Sequence, residues 1–459
     1  MNHPALAVIV LAAGQGTRMK SALPKVLHPI GGRPMLGHVL AVAQAMGAAQ
    51  IVAVTAPGAE AVVALAGQWG GTSVVQERQL GTGHAVLAAE NALAGFDGNL
   101  LVLFGDAPLL TAATLSRLIA KLGAGGDLSA LGFRAADPAG YGRMVTDGDS
   151  LIRIVEQKDA SEDERRIDLC FAGMLAGRAR LIFELLHRVG NRNAQSEFYL
   201  TDVIGIAQAR GLRCAVVEGP EGEMLGVNSR AQLAQGEAAF QARARAQLMD
   251  AGVGMTAPET VFLSADTIIE PDVVIGQYVV FGPGVTIKRG ADIRAFCHIE
   301  NSAIGERAIV GPFARLRGGA KLDADVDIGN FVELKNAHLE KGVKAHHLTY
   351  LGDSHVGEKA NIGAGTITCN YDGFSKSRTE IGAGAFIGSN AALVAPVEIG
   401  EGAIVAAGSV ITENVAPNAL AVARGRQETK PGRAVQIRAR NKAKRDMAKK
   451  DMAKKDRNV

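Results

Sequence analysis

The sequence predicts an α/β domain followed by a parallel β-helix, and three observations support this fold class. Aliphatic residues recur at every sixth position through the C-terminal half, whereas the N-terminal half alternates apolar runs with stretches of helical period. The composition, with 56 glycines and 4% aromatic residues in 459, suits a β-helix whose corners need small residues. A chain of this length exceeds one ordinary core, so we expect two or more domains.

The six-residue period appears in three runs, with a one-residue slip between the first two. In a chain that is 47% hydrophobic, six consecutive apolar hits occur by chance in about one case in a hundred. This period is typical of short parallel strands around a triangular coil, each hexad placing one aliphatic side chain inside. The runs are Ile269, Ile275, Phe281, Ile287, Ile293 and Ile299, then Ile304, Val310, Leu316, Leu322, Ile328 and Leu334, then Ile381, Ile387, Leu393, Ile399, Val405 and Ile411.

The N-terminal half predicts an α/β domain with a mostly parallel sheet. We expect buried strands at Ala5–Leu11, Ile51–Thr55 and Leu100–Phe104, and helices at Gly37–Met46 and Ala112–Leu122. The proline-free segment Ser229–Ala251 predicts one long connecting helix with Leu233, Phe240, Ala244 and Leu248 on one face. The predicted organisation is therefore residues 1–228, a linker helix at 229–252, a coil at 253–425 and a basic tail at 426–459.

The distribution of charge and the placement of the cysteines argue against several classes of function. The net charge is +3, yet residues 440–459 carry nine Lys/Arg against three Asp. Because this tail is repetitive and has no aromatic residue for base stacking, we expect a solvated, partly disordered end with no nucleic-acid role. The four cysteines form no C-x-x-C pair, so neither a zinc site nor a disulfide framework is indicated. We expect a cytoplasmic protein without membrane insertion.

A glycine-rich loop follows the first strand, in the string Leu11–Met19. Gly14 and Gly16 allow the backbone to approach an anion, and Arg18 and Lys25 would balance the charge of a triphosphate. A dinucleotide fingerprint would need a third glycine at Met19, and the string has no G-K-[ST] of a P-loop. On the glycines alone, a tight strand-to-helix turn with a surface lysine is an equal alternative.

Asp106 follows an apolar strand, at the edge where open α/β sheets bind ligands. A carboxylate there can hold Mg²⁺ for phosphoryl transfer, although a helix N-cap is an equal alternative from the residues alone. Asn228 directly precedes the predicted linker helix, so a cap is the alternative for that residue too.

The complete string L-A-A-G-Q-G-T-R-M with P-K resembles the signature of sugar-phosphate nucleotidyltransferases. Three further segments agree: Gln76–His84 resembles the family's uridine loop, Phe104–Pro108 its metal-carboxylate turn and Gly140–Arg143 its sugar loop. Together with the hexads, nearly the whole chain resembles the bacterial bifunctional N-acetylglucosamine-1-phosphate uridyltransferase/glucosamine-1-phosphate acetyltransferase family.

This resemblance implies a uridyltransferase in which Lys25 and Arg18 stabilise the departing pyrophosphate of UTP and Asp106 and Asn228 hold Mg²⁺. Two positions depart from the family: Phe171 stands where Asn is usual and Phe104 where Tyr is common, each removing a hydrogen bond of about 1 kcal/mol. The implied sugar-nucleotide site comprises Leu11, Ala12, Ala13, Gly14, Lys25, Gln76, Gly81, Thr82, Phe104, Gly105, Asp106, Gly142, Glu156, Phe171 and Asn228.

The hexad pattern lapses at residues 334–350 and 362–381, and polar residues concentrate there. A histidine in a coil is more often a corner or trimer-contact residue than a base, but Arg317 and Lys335 could neutralise a sugar phosphate. The resemblance makes His347, rather than His346, the base that deprotonates the amine of glucosamine-1-phosphate. It implies Arg317, Lys335, Tyr350 and Asn361 for glucosamine-1-phosphate, and Ala364, Asn370, Tyr371, Ser389, Ala407 and Arg424 for acetyl-CoA.

The resemblance also implies a homotrimer, a left-handed coil and synthesis of UDP-N-acetylglucosamine for peptidoglycan and lipopolysaccharide. Two alternatives stay open. One is a single-activity nucleotidyltransferase whose coil only oligomerises. The other is a scaffolding or nucleic-acid-binding protein that uses the basic tail, whose binding would be salt-dependent and lost on truncation at Arg440.

Overall fold

The computed structural model describes residues 4–455, with side chains described through residue 449. The chain divides into two compact units, residues 1–338 and residues 339–459, and the division falls within the hexad region. Residues 1–3 of the expected first domain and residues 456–459 of the expected tail lie outside the described range.

The first unit begins with an α/β domain around one twisted sheet. The expected strands are confirmed to within one residue, at Leu6–Leu11, Gln50–Thr55 and Asn99–Phe104. The spatial order of the sheet is Thr72–Val75, Gln50–Thr55, Leu6–Leu11, Asn99–Phe104, Leu169–Arg178, Leu128–Arg134, Cys214–Glu218, Ser150–Val155 and Arg143–Asp147. Pro29–Ile30 and Arg33–Pro34 form a separate small hairpin.

Half of this sheet departs from the expected mostly parallel arrangement. The strands from Thr72–Val75 through Asn99–Phe104 are parallel, but Leu169–Arg178 runs antiparallel to both of its main neighbours. Arg143–Asp147 and Ser150–Val155 are joined by a two-residue turn, which requires antiparallel pairing. The sheet is therefore Rossmann-like on one side and mixed on the other.

Helices cover the sheet, and apolar side chains from both layers form its core. The two helices expected from periodicity are present at Met35–Ala45 and Ala112–Gly123. The other α-helices of this domain are Glu60–Gln68, Thr82–Ala88, Glu162–Arg165, Ala179–Leu186 and Asp202–Ala209. Single 3₁₀ turns lie at Thr17–Met19, Lys25–Leu27, Asn91–Leu93, Glu221–Glu223 and Pro258–Thr260.

The expected linker helix is confirmed at Arg230–Asp250, with the side chain of Ser229 accepting a hydrogen bond from Gln232 N. Phe240 packs with Ile30 and Leu109 in a small apolar core. Gln241 binds both backbone groups of Leu263, donating at 2.7 Å and accepting at 2.9 Å. The helix is thus fixed both to the α/β domain and to the start of the coil, with more contacts than a free linker would make.

The hexads of the first unit form the turns of a parallel β-helix. Every aliphatic residue of the first two runs is buried, which confirms the period as the inner row of a coil. The strands stack in three ladders. They are Gly254–Met255, Val274–Ile275, Asp292–Ile293, Ile309–Val310 and Asp327–Asn330; then Ile268–Ile269, Val285–Ile287, Ser302–Ile304 and Ala320–Leu322; then Val280–Phe281, His298–Ile299, Arg315–Arg317 and Glu333–Leu339.

The second unit is also a parallel coil, and the third aliphatic run is buried throughout it. Its ladders are Lys344–His347, Asn361–Ile362, Phe386–Ile387, Ile404–Val405 and Leu420–Ala421; then Ile367–Cys369, Ala392–Val394 and Val410–Ile411; then Tyr350–Val356, Thr379–Ile381 and Val397–Ile399. The first lapse in the period, at residues 334–350, contains most of the seven-residue strand Glu333–Leu339, and the second contains an exposed loop before Thr379.

The tail differs from the expected partly disordered segment, because residues Arg433–Lys455 form a helix. Its side chains are exposed as far as they are described, which agrees with the expected solvation. Among the described residues, no helix is both long and apolar enough to cross a bilayer.

Candidate active sites

A cavity of about 550 Å³ opens in the α/β domain, where the first strand and Asn99–Phe104 end. The four motif segments meet there, and the implied sugar-nucleotide residues line it except Gly105, whose buried backbone N–H donates to Leu11 O at 2.9 Å. Arg18 lies outside the lining, exposed on the turn Thr17–Met19. The lining residues from the sequence prediction are Leu11, Ala12, Ala13, Gly14, Lys25, Gln76, Gly81, Thr82, Phe104, Asp106, Gly142, Glu156, Phe171 and Asn228.

The glycine loop positions Lys25. Gly16 has φ 62°, and a Cβ there would lie 2.5 Å from Cβ of Lys25. Only glycine therefore permits both the left-handed backbone and the close approach of the Lys25 segment. The chain turns back on itself, so the lysine ammonium reaches the cavity.

Lys25 joins the two residues expected to hold a cation. Its Nζ donates to Asp106 Oδ2 at 2.5 Å and to Asn228 Oδ1 at 2.8 Å. Asn228 is itself fixed by its backbone N–H, which donates to Gln232 Oε1 at 2.9 Å. The helix Arg230–Asp250 thus supports the site through its first turn.

The donor set around Lys25 fits a divalent cation. A carboxylate oxygen of Asp106 and an amide oxygen of Asn228 both accept from the ammonium of Lys25. Such hard oxygen ligands are those that Mg²⁺ prefers. Within residues 4–449, His, Cys, Asp and Glu form no group of three or more that could hold a metal. A cation at Asp106 and Asn228 would therefore take its remaining ligands from water and substrate phosphates.

The segment expected to read the base is held by amide hydrogen bonds. Gln76 is buried and its Nε2 donates to Gly81 O at 3.2 Å. Gly81 has φ 111°, and a Cβ there would lie 2.6 Å from Phe198 O, so the close approach requires glycine. The hydroxyl of Thr82 accepts from Leu200 N at 3.0 Å. These contacts fix the loop at the start of the helix Thr82–Ala88.

A half-buried carboxyl group, that of Glu156, also lines the cavity. Burial raises the pKa of Glu156, with smaller raising contributions from Asp202, Asp159 and Glu197, while the hydrogen bond from Thr201 lowers it. The hydroxyl of Thr201 donates to Glu156 Oε1 at 3.1 Å. The side chain therefore offers one oriented oxygen and a charge that is costly to maintain.

The two phenylalanines that depart from the family pattern both line the cavity. Phe171 is 8% exposed and belongs to the apolar core. Gly173, with φ 93°, lies against the ring of Phe104, in the irregular stretch between Phe171 and Leu175. This wall of the cavity is apolar, whereas the wall at Glu156 is polar.

Several lining residues were absent from the sequence prediction. Gln79 Nε2 donates to Ala13 O at 2.5 Å, and this hydrogen bond fixes the glycine loop. Thr201 and Glu197 reach the cavity from a segment that carried no recognisable motif. The available signal for Gln79 was its place within the motif segment Gln76–His84.

In the second unit, five of the predicted residues form one row along consecutive turns of the coil. Hydrogen bonds mark the stacking: Gly365 N donates to His347 O at 3.2 Å, Asn390 N to Ala364 O at 2.7 Å and Gly408 N to Ser389 O at 2.8 Å. Arg424 Nη1 ends the row by donating to Ala407 O at 2.8 Å. The row is His347, Ala364, Ser389, Ala407 and Arg424.

The remaining acetyl-CoA residues lie on the loop between Cys369 and Thr379. Asn370 is buried and donates to Asp353 Oδ2 at 2.5 Å, so its side chain fixes the loop. Tyr371 is 61% exposed and its hydroxyl donates to Gly373 O at 2.6 Å. Tyr350 and Asn361 are half-buried on neighbouring strands of the same unit.

Arg317 and Lys335 belong to the first unit. They are register partners on parallel strands, which places two cationic side chains on adjacent turns. Arg317 Nε donates to Glu333 Oε1 at 2.7 Å, which orients its guanidinium. The four predicted sugar-phosphate residues are therefore divided between the units, with Tyr350 and Asn361 in the second.

The fold and these clusters define a transferase with a nucleotidyltransferase domain followed by hexapeptide repeats. Residues 8–168 match the MobA-like NTP transferase domain, and residues 266–301 and 378–413 match the bacterial transferase hexapeptide (six repeats). The hexapeptide match supports the left-handed coil expected from the sequence.

The particular family follows from whole-chain similarity. The chain is 51% identical to the bifunctional protein GlmU of Paramagnetospirillum magneticum over 96% of this chain and 98% of that protein. It is 54% identical to GlmU of Sphingopyxis alaskensis over 94% and 96%, and 55% identical to GlmU of Ruegeria sp. over 96% and 98%. The chain belongs to the GlmU family of bifunctional proteins.

Proposed function

We propose that this protein makes UDP-N-acetylglucosamine in two steps. Its coil transfers an acetyl group from acetyl-CoA to glucosamine-1-phosphate, and its α/β domain then transfers a uridyl group from UTP to N-acetylglucosamine-1-phosphate. The observation that carries the proposal is the convergence of Lys25, Asp106 and Asn228 in a cavity lined by all four motif segments. The whole-chain similarity to bifunctional relatives supports the second activity.

For uridyl transfer, the sugar phosphate oxygen attacks the α-phosphorus of UTP in line and pyrophosphate leaves. The backbone of Leu11–Gly14 and the ammonium of Lys25 bind phosphate oxygens and offset their charge. Gln76, Gly81 and Thr82 hold the base, while Gly142 and Glu156 hold the sugar. Catalysis here is positioning and electrostatics, so no covalent nucleophile is needed.

Arg18 must change position to take part in uridyl transfer. It is exposed outside the cavity lining, on a turn whose flanking residues Gly16 and Lys20 have left-handed backbones. We propose that its guanidinium stabilises pyrophosphate after this turn closes over bound UTP.

Mg²⁺ is the cation we assign to Asp106 and Asn228, because both offer hard oxygens and phosphates would complete the coordination. A bound Mg²⁺ would offset charge on the phosphate oxygens as pyrophosphate forms. Lys25 would then move its ammonium from Asp106 towards the phosphates.

For acetyl transfer, His347 takes a proton from the amine of glucosamine-1-phosphate as the nitrogen attacks the thioester carbonyl. The carbon–sulfur bond breaks, and CoA leaves as its thiol after accepting a proton. Arg317, Lys335, Tyr350 and Asn361 bind the sugar phosphate. The row from Ala364 to Arg424, with Asn370 and Tyr371, binds acetyl-CoA, because its small corners leave room for an extended ligand and Arg424 can pair with a coenzyme phosphate.

We propose a homotrimer in the cytoplasm, where acetyl-CoA and UTP are available. The product would supply peptidoglycan and lipopolysaccharide synthesis. The ordered His347 row favours this reading over a coil that only oligomerises, and an acetyl-CoA thiol-release assay separates the two.

One reconstitution tests both activities. The protein is supplied with glucosamine-1-phosphate, acetyl-CoA, UTP and Mg²⁺, and UDP-N-acetylglucosamine is measured by chromatography. Omission of acetyl-CoA should abolish the product, and N-acetylglucosamine-1-phosphate should restore it. If N-acetylglucosamine-1-phosphate supports turnover but glucosamine-1-phosphate with acetyl-CoA does not, the single-activity alternative is correct.

A further inference from the structure

Arg143 is a buried cation next to the sugar side of the cavity, and the proposed reaction gives it no role. Its side chain is 2% exposed, and within the described part of the chain it forms no ion pair. Burying a guanidinium without an ion pair costs free energy. The contacts that Arg143 makes therefore require an explanation.

Its hydrogen bonds are directed at backbone carbonyls. Nη1 donates to Tyr141 O, Nη2 donates to Arg165 O at 3.4 Å, and Nε is buried with no hydrogen-bond partner. The guanidinium therefore ties the loop Gly140–Gly142 to the end of the helix Glu162–Arg165. The same loop is held from the other side, because Phe171 N donates to Gly142 O at 2.8 Å.

The peptide between Tyr141 and Gly142 links this contact to the cavity. The bond is trans, so its carbonyl and its N–H point in opposite directions. With Tyr141 O held by Arg143, the N–H of Gly142 points away from the guanidinium. That N–H has no acceptor among the described residues, and Gly142 lines the cavity.

We propose that Arg143 is a positioning residue that orients the Gly142 N–H as a donor to the sugar of the sugar phosphate. This inference rests on the proposed uridyl transfer and adds a determinant of sugar binding to it. Arg143 acts through the loop and does not touch substrate. Glu156 then supplies the matching acceptor, since a Cβ at Gly142 would lie 3.7 Å from Glu156 Oε2.

The test measures KM for N-acetylglucosamine-1-phosphate and for UTP in the full-length protein and in Arg143→Met and Arg143→Lys. We expect Arg143→Met to raise the KM of the sugar phosphate roughly tenfold, the effect of one lost hydrogen bond to an oriented donor, with the KM of UTP unchanged within twofold. Arg143→Lys keeps a cation with a single donor nitrogen and should give a smaller rise. Acetyl transfer by the same chain should not change.

The matched control is Arg134→Met, which removes an exposed arginine from another strand of the same sheet, where it pairs with Asp168 and Glu218. It should leave both KM values at the parent level. A sugar-phosphate KM that stays within twofold in Arg143→Met overturns the proposal, as does a parallel rise in both KM values, which would show a general structural role. If Arg143→Met does not fold, the same split must appear in Arg143→Lys.

The proposed function fails differently. In that case the parent protein itself transfers no uridyl group, whatever stands at position 143.

Discussion

Asp106 is the residue whose loss should separate the two activities. Asp106→Ala removes a carboxylate oxygen expected to hold Mg²⁺ and leaves Lys25 without its 2.5 Å partner. We expect uridyl transfer to fall by at least about a hundredfold, because charge stabilisation of the departing pyrophosphate is lost. Turnover is measured against Mg²⁺ concentration, with acetyl transfer by the same sample as the control. Parent-like Mg²⁺-dependent turnover would contradict the assignment.

The adjacent histidines His346 and His347 provide a second test of a single side chain. On the strand Lys344–His347 neighbouring side chains alternate in direction, and the two rings are inclined by 73°. His347 is exposed at the head of the row that leads to Arg424, whereas His346 is half-buried. His347→Ala should therefore reduce acetyl transfer by about 10² to 10⁴ with acetyl-CoA binding largely kept.

His346→Ala is the matched variant and should stay within a few-fold of the parent. If His346→Ala lost more acetyl transfer than His347→Ala, with both variants folded and trimeric, the base would lie on the other face of the strand.

Glu156 should make the stability of the α/β domain depend on pH. Its folded pKa is raised by burial, so the folded state holds the proton more tightly and stability falls as pH rises above the ordinary value of 4.5. Glu156→Gln removes this loss while still accepting from Thr201. We expect the variant to equal the parent near pH 4 and to be more stable at pH 8, although weaker in sugar binding.

Denaturant unfolding followed by Trp69 fluorescence measures this difference, because the one tryptophan of the chain lies in that domain. If the difference in unfolding free energy between Glu156→Gln and the parent is the same at pH 4 and pH 8, the pKa of Glu156 is not raised in the folded state.

The helix Arg230–Asp250 supports the uridyltransferase site through Gln232 and through the packing of Phe240. Phe240 is 8% exposed, and a Cβ at Gly31 would lie 2.2 Å from its ring, so ring and turn are in close contact. Phe240→Ala should destabilise the α/β domain by about 3 to 5 kcal/mol through the cavity it leaves. Phe262→Ala, at a phenylalanine that is 47% exposed, is the control and should cost much less. Denaturant titration measures both, and equal losses would refute the packing argument.

Sequence predicted these elements unequally, for physical reasons. The hexads were recovered at every position because burial of one aliphatic residue per hexad leaves a strict period. The antiparallel strand Leu169–Arg178 was missed because a strand buried on both faces reads the same in either direction. The linker helix was recognised, but its bonds through Gln241 to Leu263 depend on tertiary approach and leave no local pattern.

The residues of the candidate sites also differ in how well the sequence predicted them. Motif segments such as Leu11–Met19 reached the cavity as expected, because backbone geometry there demands glycine at fixed spacing. Thr201 was missed because it contributes a single polar atom from a segment without a motif, and Gln79 was not singled out within Gln76–His84 because its bond to Ala13 O depends on the fold. The buried Arg143 was visible in the sequence only as part of a loop motif, and its carbonyl contacts needed the fold.

The two activities should be separable, but only at particular boundaries in the chain. Residues 1–250 keep the helix that supports Asn228 through Gln232, whereas residues 1–228 lose it together with Phe240. We therefore expect the 1–250 fragment to retain uridyl transfer and the 1–228 fragment to lose it. Residues 251–459 keep Arg317, Lys335 and the His347 row, so they should retain acetyl transfer.

The fragment 339–459 is the informative control, because it matches the second compact unit but lacks Arg317 and Lys335. Without these cations the sugar phosphate has no charge partner from that part of the coil, so acetyl transfer should be lost even if the fragment folds. Sedimentation should show 251–459 as a trimer. An active monomer would contradict the homotrimer, and full acetyl transfer by 339–459 would show that the phosphate is bound by residues after Lys335.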